Sequence, residues 1–344
     1  MPPMTLMITL ASLTTSTIIV MMSHHWLLAW LALELNTLSI IPLMIKQHHP
    51  RSTEATTKYF LIQALAAGMI LFASTMNAWQ TGHWDIQHTT PTTATLLTAA
   101  IMLKMGLAPT HLWYPEILQG TTLLTALTIS TWQKIAPLTL LCLTLHTLPT
   151  HIILLVGLMS TLTGGLAGLN QTQTRKIMAY SSISHMGWLM AALALNQNLA
   201  TLTLALYTIA TITLFITMNT TTTNTLLDLS IFWSYSPLMT ATMMTTLLTL
   251  GGLPPLTGFL PKLLILKELV ENNLLMLSTT MALASLPSLF FYTRMMYLTA
   301  LTLPPAPTNI KHKWRYKAPH TTYLMMLTTL ITMTLPLAPL LPTT

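Results

Sequence analysis

Three charged residues interrupt apolar stretches of the sequence, where a charge needs a reason to be present. Glu34 lies in LALELNTL, Lys104 in IMLKMGLAP and Lys134 in STWQKIAP, each well inside its apolar run. A charge at the centre of a hydrocarbon layer costs at least about 2.5–3.5 kcal/mol. Burial favours loss of a lysine proton and a nearby carboxylate favours its return, so this set predicts a proton relay. A structural ion pair between Glu34 and one lysine is the alternative.

Three further residues extend this set. Lys262 follows GGLPPLTGFLP, and His185 lies about ten residues into the apolar run around SSISHMGW. An imidazole exchanges protons near neutral pH, so His185 is a further relay candidate, with a hydrogen-bonded core histidine as the alternative. Glu116 lies near the end of its apolar run, where a solvated carboxylate is as plausible as a functional one.

Two segments carry the same pattern of glycine and proline. Gly106, Pro109 and Pro115 are repeated as Gly252, Pro255 and Pro261, with an offset of 146 residues at all three positions. Proline removes a backbone donor and clashes with the preceding turn, so both apolar spans are predicted to be discontinuous helices. Matching broken helices in two inverted halves indicate an ion or substrate path.

The composition places these residues in a membrane protein. The chain has 344 residues, is 52% hydrophobic and contains only 6% charged residues, and its mean hydropathy is +0.63. Soluble domains carry about 25% charged residues. We predict an all-α polytopic membrane protein with about eleven transmembrane helices, at 4–22, 26–45, 59–79, 93–118, 122–146, 150–170, 175–195, 199–219, 238–267, 274–300 and 322–342.

The spans group into one membrane domain, 1–344. It comprises a first half-channel repeat over 4–146, a second, inverted repeat over 150–300, and an additional C-terminal helix at 322–342. Each repeat has five helices, one of them broken. The fourth and ninth spans are five apart, so their broken helices are predicted to cross in opposite directions.

The basic residues outside the spans predict the orientation. An alternating path puts ten of them on the N-terminal side and only Lys267 near the other surface. By the positive-inside rule, the N-terminus faces the compartment of synthesis and the C-terminus the far side. We therefore interpret the net charge of +7 as a determinant of membrane orientation and not as a sign of nucleic-acid binding. The ten residues are Lys46, Arg51, Lys58, Arg175, Lys176, Arg294, Lys311, Lys313, Arg315 and Lys317.

No redox group is expected in the chain. Its single cysteine, Cys142, lies inside an apolar run and excludes both an internal disulfide and a cysteine-ligated cluster. The deep histidines are isolated, whereas a haem held between helices needs ligands on facing spans. We therefore expect neither a metal site nor a bound cofactor.

The charged motifs, taken together and in order, resemble a known family. LALELNTLSIIPLM, LKMGLAPTHLWYPEILQG, TWQKIAPL, RKIMAYSSISHMGW and GGLPPLTGFLPKLLIL are similar to segments of the antiporter-like proton-channel subunits of mitochondrial respiratory complex I, the proton-pumping NADH:ubiquinone oxidoreductase. The resemblance covers essentially the whole chain. It implies that Glu34 and Lys104 are the pair of the first half-channel, Lys134 the connecting lysine and Lys262 the lysine of the second half-channel.

The resemblance also implies a cellular setting. It places the chain in the mitochondrial inner membrane, with its N-terminus in the matrix and its C-terminus in the intermembrane space. Neighbouring antiporter-like and small hydrophobic subunits, accessory subunits, cardiolipin and other lipids are the implied partners. FMN, iron–sulfur clusters and ubiquinone are implied elsewhere in the complex. A stand-alone cation/proton antiporter and a purely structural membrane subunit remain the alternative functions.

Overall fold

The computed structural model describes residues 3–45, 49–230, 237–301 and 321–333. Within these ranges the chain is helical and contains no strand beyond two isolated bridges. The predictions for Lys46, for the basic loop 311–317 and for the C-terminus fall outside the described residues.

Fifteen α-helices and one short 3-10 helix follow one another in the described part of the chain. They are α1 (Pro3–Met21), α2 (Trp26–Ile45), α3 (Pro50–Thr81), α4 (Pro91–Met105), α5 (Trp113–Gly120), α6 (Leu123–Ser130), the 3-10 helix (Trp132–Lys134), α7 (Ile135–Thr144), α8 (Thr150–Gly168), α9 (Thr174–Leu195), α10 (Gln197–Thr221), α11 (Leu226–Ser230), α12 (Pro237–Gly251), α13 (Phe259–Glu271), α14 (Leu275–Leu301) and α15 (Thr321–Met333).

These helices confirm the predicted all-α membrane fold. Each predicted span overlaps at least one described helix, and six described helices are long and apolar enough to cross a bilayer unaided. The helix of the third span is longer than the predicted segment 59–79, because α3 begins at Pro50. Proline suits the first position of a helix, and the His49 ring nitrogen Nδ1 accepts the Arg51 N–H at 3.2 Å.

The fifth span contains a break that the sequence analysis did not predict. Its α-helical bonding gives way to the 3-10 helix at Trp132–Lys134. Pro137 follows within one turn and has no N–H to donate to the carbonyl of Gln133, four residues earlier. The local change in helix type therefore coincides with Lys134.

The chain divides into two compact units, Met1–Ser160 and Thr161–Thr344, called unit 1 and unit 2 below. In unit 1, a Cβ on Gly120 of α5 would lie 2.7 Å from the Ala55 Cβ of α3, so this glycine permits close packing of the two helices. In unit 2, a Cβ on Gly164 would lie 2.7 Å from the Ser184 backbone nitrogen of α9.

Each unit contains one of the two predicted broken helices. Helix α4 begins at Pro91 and ends at Met105, and α12 begins at Pro237 and ends at Gly251. The following helices begin at Trp113 in α5 and at Phe259 in α13. All three bounds keep the 146-residue offset found in the sequence. The two breaks are thus confirmed.

The two breaks also share a backbone conformation. Gly106 and Gly252 have positive φ angles of 70° and 79°. The next N–H reaches back five residues in both cases, from Leu107 to the Met102 oxygen at 3.1 Å and from Leu253 to the Leu248 oxygen at 3.4 Å. This is the Schellman arrangement that ends helices at glycine.

The four prolines differ in position. Pro109 and Pro255 lie in the unwound segments between the helices, whereas Pro115 and Pro261 are the third residues of α5 and α13. A proline is tolerated in the first turn of a helix because its missing N–H has no intrahelical partner there.

Candidate functional site

Lys104 and Lys134 line a single cavity in unit 1. The cavity measures about 20 Å³, and the two lysines are only 6% and 3% exposed. A buried water needs about 10–15 Å³ and two to four polar partners. Space and polar groups are therefore sufficient for water. The other polar lining residues include Asn36, Tyr59, Gln63, Tyr114 and Gln133.

Lys104 is presented to this cavity by the end of α4. It lies in the last turn, two residues before Gly106. The Gln63 side chain of α3 donates through Nε2 to the Lys104 carbonyl at 3.3 Å and so satisfies an acceptor at the helix terminus. Lys104 Nζ is buried and has no hydrogen-bond partner among the described residues. A buried amine without a protein partner is expected to form hydrogen bonds with water in the cavity.

Lys134 reaches the cavity from the 3-10 helix. Its Nζ lies 5.0 Å from the centroid of the Tyr114 ring, a cation–π distance. Tyr114 belongs to α5, which follows the break. The two lysines therefore approach one cavity from different helices, which the sequence did not reveal.

Glu34 is close to this site but does not line the cavity. Its charge interacts with Lys104 and with Tyr59. No ion pair within 4.0 Å joins Glu34 to a lysine in the described ranges. Its Oε2 is buried without a hydrogen-bond partner among those residues. Glu34 and Lys104 therefore interact through space and do not form a direct ion pair.

Lys262 lines a second cavity, which lies in unit 2 and measures about 40 Å³. The side chain is 9% exposed, and its Nζ donates to the Gly251 carbonyl at the end of α12 at 3.1 Å. A Cβ on Gly252 would lie 2.8 Å from this Nζ, so the glycine leaves room for the lysine. The negative end of the α12 dipole adds to this attraction.

His185 lines the same cavity as Lys262. Its Nε2 lies 3.2 Å from the Tyr292 hydroxyl, and its ring contacts the Tyr207 ring in a tilted arrangement, with 5.5 Å between the ring centroids. No Asp or Glu is among the described residues that line this cavity. The described lining of this cavity thus combines one lysine with an imidazole and hydroxyl groups.

Glu116 lies away from both cavities. Its carboxylate pairs with Lys58 at 2.8 Å, and Lys58 also pairs with Glu54 at 2.8 Å. The side chain of Glu116 is 56% exposed. Its environment is that of a surface ion pair between α3 and α5.

Sequence reasoning missed several polar residues of the two sites, including three amides and Tyr292. Asn36, Gln63 and Gln133 line the first cavity, and Tyr292 contacts His185 in the second unit. The three amides were detectable by the argument used for the charges, because each interrupts an apolar run. Tyr292 offered no such signal. Among the described residues, no group of three or more His, Cys, Asp or Glu side chains is arranged to hold a metal ion.

Two family models match consecutive parts of the chain. The model described as NADH:quinone oxidoreductase/Mrp antiporter, TM matches residues 23–287. The model described as NADH dehydrogenase subunit 2 C-terminus matches residues 289–342. The two matches together cover nearly the entire sequence.

Curated relatives are similar over their full lengths. The NADH-ubiquinone oxidoreductase chain 2 of Latimeria chalumnae is 51% identical over 341 residues, with 98% of each chain covered. That of Carassius auratus is 52% identical over 344 residues, covering 99% of this chain and 98% of the relative.

Solved structures share the fold. A chain of respiratory complex I from Thermus thermophilus with bound aureothin gives a TM-score of 0.82 at 25% identity, covering 96% of this chain and 78% of that one. A chain of the Mrp complex from Dietzia sp. DQ12-45-1b gives 0.79 at 14% identity, covering 96% and 74%. The second similarity concerns the fold alone.

Proposed function

The chain belongs to the NADH:quinone oxidoreductase/Mrp antiporter family of membrane subunits, and we propose that its buried lysines translocate protons. It is a membrane-arm subunit of the proton-pumping NADH:ubiquinone oxidoreductase, as the full-length similarity to chain 2 sequences indicates. The observation that carries the relay proposal is that Lys104 and Lys134 are buried around one cavity large enough for water.

The first site transfers protons between two amines. A charged lysine in a hydrocarbon environment is expensive, and two charged lysines beside one small cavity also repel each other. One ammonium group therefore releases a proton to cavity water, and the neighbouring neutral amine takes a proton from that water. The charge is passed on, and the water is regenerated.

Glu34 adjusts this exchange through space. A carboxylate near a lysine favours the charged form of the amine, and the effect weakens as their separation increases. Because Glu34 makes no direct ion pair with Lys104 in the described chain, a movement of α2 relative to α4 changes the interaction without breaking a bond. This offers a link between helix movement and the protonation of Lys104.

The second site uses Lys262 and the group formed by His185 and Tyr292. The Lys262 ammonium is held by the Gly251 carbonyl, and a neutral amine would be held there more weakly. His185 lines the same cavity and accepts or donates a proton through its ring, which makes it the exchange partner of Lys262.

The chemistry that drives the relay takes place in other subunits. We place FMN, the iron–sulfur clusters and ubiquinone elsewhere in the complex, and the chain in the mitochondrial inner membrane with its N-terminus in the matrix and its C-terminus in the intermembrane space. Its partners in this proposal are neighbouring antiporter-like and small hydrophobic subunits, accessory subunits, cardiolipin and other lipids.

Lys262→Met in the assembled enzyme tests the proposal. We expect proton pumping and NADH:ubiquinone turnover per assembled complex both to fall at least about tenfold, as expected when a proton-transfer group is removed. Lys267→Met is the matched control, because Lys267 lies on the same helix but is exposed and pairs with Glu271 at 3.6 Å. Native pumping and turnover in Lys262→Met would contradict the proposal.

A further inference from the structure

Asn36 and Gln133 form a reciprocal amide pair at the first cavity. Asn36 Nδ2 donates to Gln133 Oε1 at 2.9 Å, and Gln133 Nε2 donates to Asn36 Oδ1 at 3.2 Å. Asn36 is 2% exposed, and both residues line the cavity with Lys104 and Lys134. The relay described above uses neither amide as a proton carrier.

The pair joins two segments that are 97 residues apart in sequence. Asn36 lies on α2, two residues after Glu34. Gln133 lies in the 3-10 helix immediately before Lys134. The Lys134 N–H bond to the Thr131 carbonyl is 3.4 Å long, which is longer than the usual range of about 2.7–3.2 Å. Side-chain contacts therefore matter more here than they would in a regular helix.

We propose that Asn36 and Gln133 are positioning residues of the relay, which hold the 3-10 helix so that Lys134 stays at the cavity it shares with Lys104. This inference rests on the proposed function of that cavity. Rotation or displacement of Gln133 would move the adjacent Lys134, and Asn36 is the side chain that restrains Gln133 by two bonds.

The amide chemistry suits this position. Each amide has two N–H groups and a carbonyl with two lone pairs, and the reciprocal pair uses one N–H and one lone pair on each side. The unused groups remain for water in the cavity. A carboxylate in place of either amide would attract a lysine ammonium and retain its proton, whereas an apolar side chain would leave the other amide unsatisfied.

An exchange of the two side chains tests the proposal. Asn36→Gln alone adds a methylene to the pair and Gln133→Asn alone removes one, so both misplace Lys134. The double variant Asn36→Gln/Gln133→Asn restores the combined length. We expect each single variant to lower turnover and pumping per assembled complex about fivefold, and the double variant to return both to within about twofold of native.

Asn77→Gln is the matched control. Asn77 is a buried amide of unit 1 that donates to the His88 carbonyl at 2.7 Å and does not line the cavity. We expect its variant to keep native turnover per assembled complex, even where less complex assembles. A loss equal to that of the single amide variants would make the effect general to buried amides and would overturn the proposal.

The remaining outcomes separate this inference from the relay itself. Single variants with native turnover, or a double variant no better than the singles, would overturn the positioning role. If the singles fail to assemble, the double variant decides, because the proposal requires it to assemble and turn over. Lys134→Met tests the cavity itself. Native pumping in that variant overturns the proposed function, whereas its loss beside unaffected amide variants overturns only the positioning role.

Discussion

The two broken helices share their helix bounds and a terminal glycine conformation but differ in side-chain chemistry. Their helix bounds differ by the same 146 residues, and both end at a glycine with positive φ. In unit 1 the neutral amide of Gln63 bonds the Lys104 carbonyl. In unit 2 Lys262 itself bonds the Gly251 carbonyl with its ammonium group. Unit 1 thus leaves its lysine available to the cavity, whereas unit 2 holds its lysine against the helix end.

The lysines do not occupy matching positions in the repeat. With the 146-residue offset, Lys104 corresponds to Leu250 and Lys262 corresponds to Glu116. Leu250 lines the second cavity, and Glu116 is an exposed ion-pair partner of Lys58. The repeat therefore supplies a broken helix twice, while the lysine beside each break lies at an unmatched position. The halves therefore need not perform the same proton step.

The largest effect is expected where the two breaks differ in packing. A Cβ on Gly258 would lie 1.7 Å from the Thr249 carbonyl oxygen, a separation that forces the backbone to move. We expect Gly258→Ala to lower the amount of assembled complex at least about tenfold, because overpacking at a rigid contact is strongly destabilising.

Leu112 is the matched position in unit 1, and its side chain is 70% exposed. Leu112→Ala is expected to leave assembly near native. Quantifying assembled complex on native gels checks both variants. Equal amounts of assembled complex for the two variants would contradict the predicted difference in packing between the two breaks.

A smaller effect is expected from removing the carboxylate of unit 1. Glu34→Gln is nearly isosteric and removes a charge that acts on Lys104 without a direct ion pair. We expect turnover and pumping to fall together by about threefold to tenfold, with assembly intact, which corresponds to a charge interaction at intermediate distance. If assembly fails while turnover per complex stays native, Glu34 has a packing role instead.

The smallest effect is expected at the repeat-matched partner of Lys262. Glu116→Gln breaks an ion pair whose members are 41% and 56% exposed, and exposed pairs contribute about 0–1 kcal/mol. Turnover per assembled complex should be native within about twofold. A loss as large as that of Lys262→Met would mean that both matched positions carry protons. It would contradict the claim that the two halves use unmatched positions for proton transfer.

Much of this arrangement could be predicted from the sequence, because charged residues and helix-breaking prolines inside a membrane span are energetically costly. A charge inside an apolar span and a proline inside a helix each need a local reason, so Lys104, Lys134, Lys262 and the two breaks were identifiable. The start of α3 at Pro50 was missed because its first turns carry charged residues such as Arg51 and Lys58, which resemble a loop.

Side-chain partners were harder to predict. The sequence left open a structural ion pair between Glu34 and one lysine as the alternative to a relay. No such pair within 4.0 Å is present in the described ranges, and Lys134 lines the cavity of Lys104. Which face a helix turns to its neighbours depends on the packing of the whole unit, including close contacts such as that of Gly120 with α3. No spacing within a single helix contains that information.

The central claim is that Lys104 and Lys134 act as one proton-transfer unit through their shared cavity. The direct measurement is pumping and NADH:ubiquinone turnover per assembled complex for Lys104→Met, Lys134→Met and the double variant. We expect each single variant to lose at least about tenfold and the double variant to be little worse than the more impaired single one, because both act on one unit. Native turnover with native pumping in either single variant would contradict the claim, as would losses that multiply in the double variant.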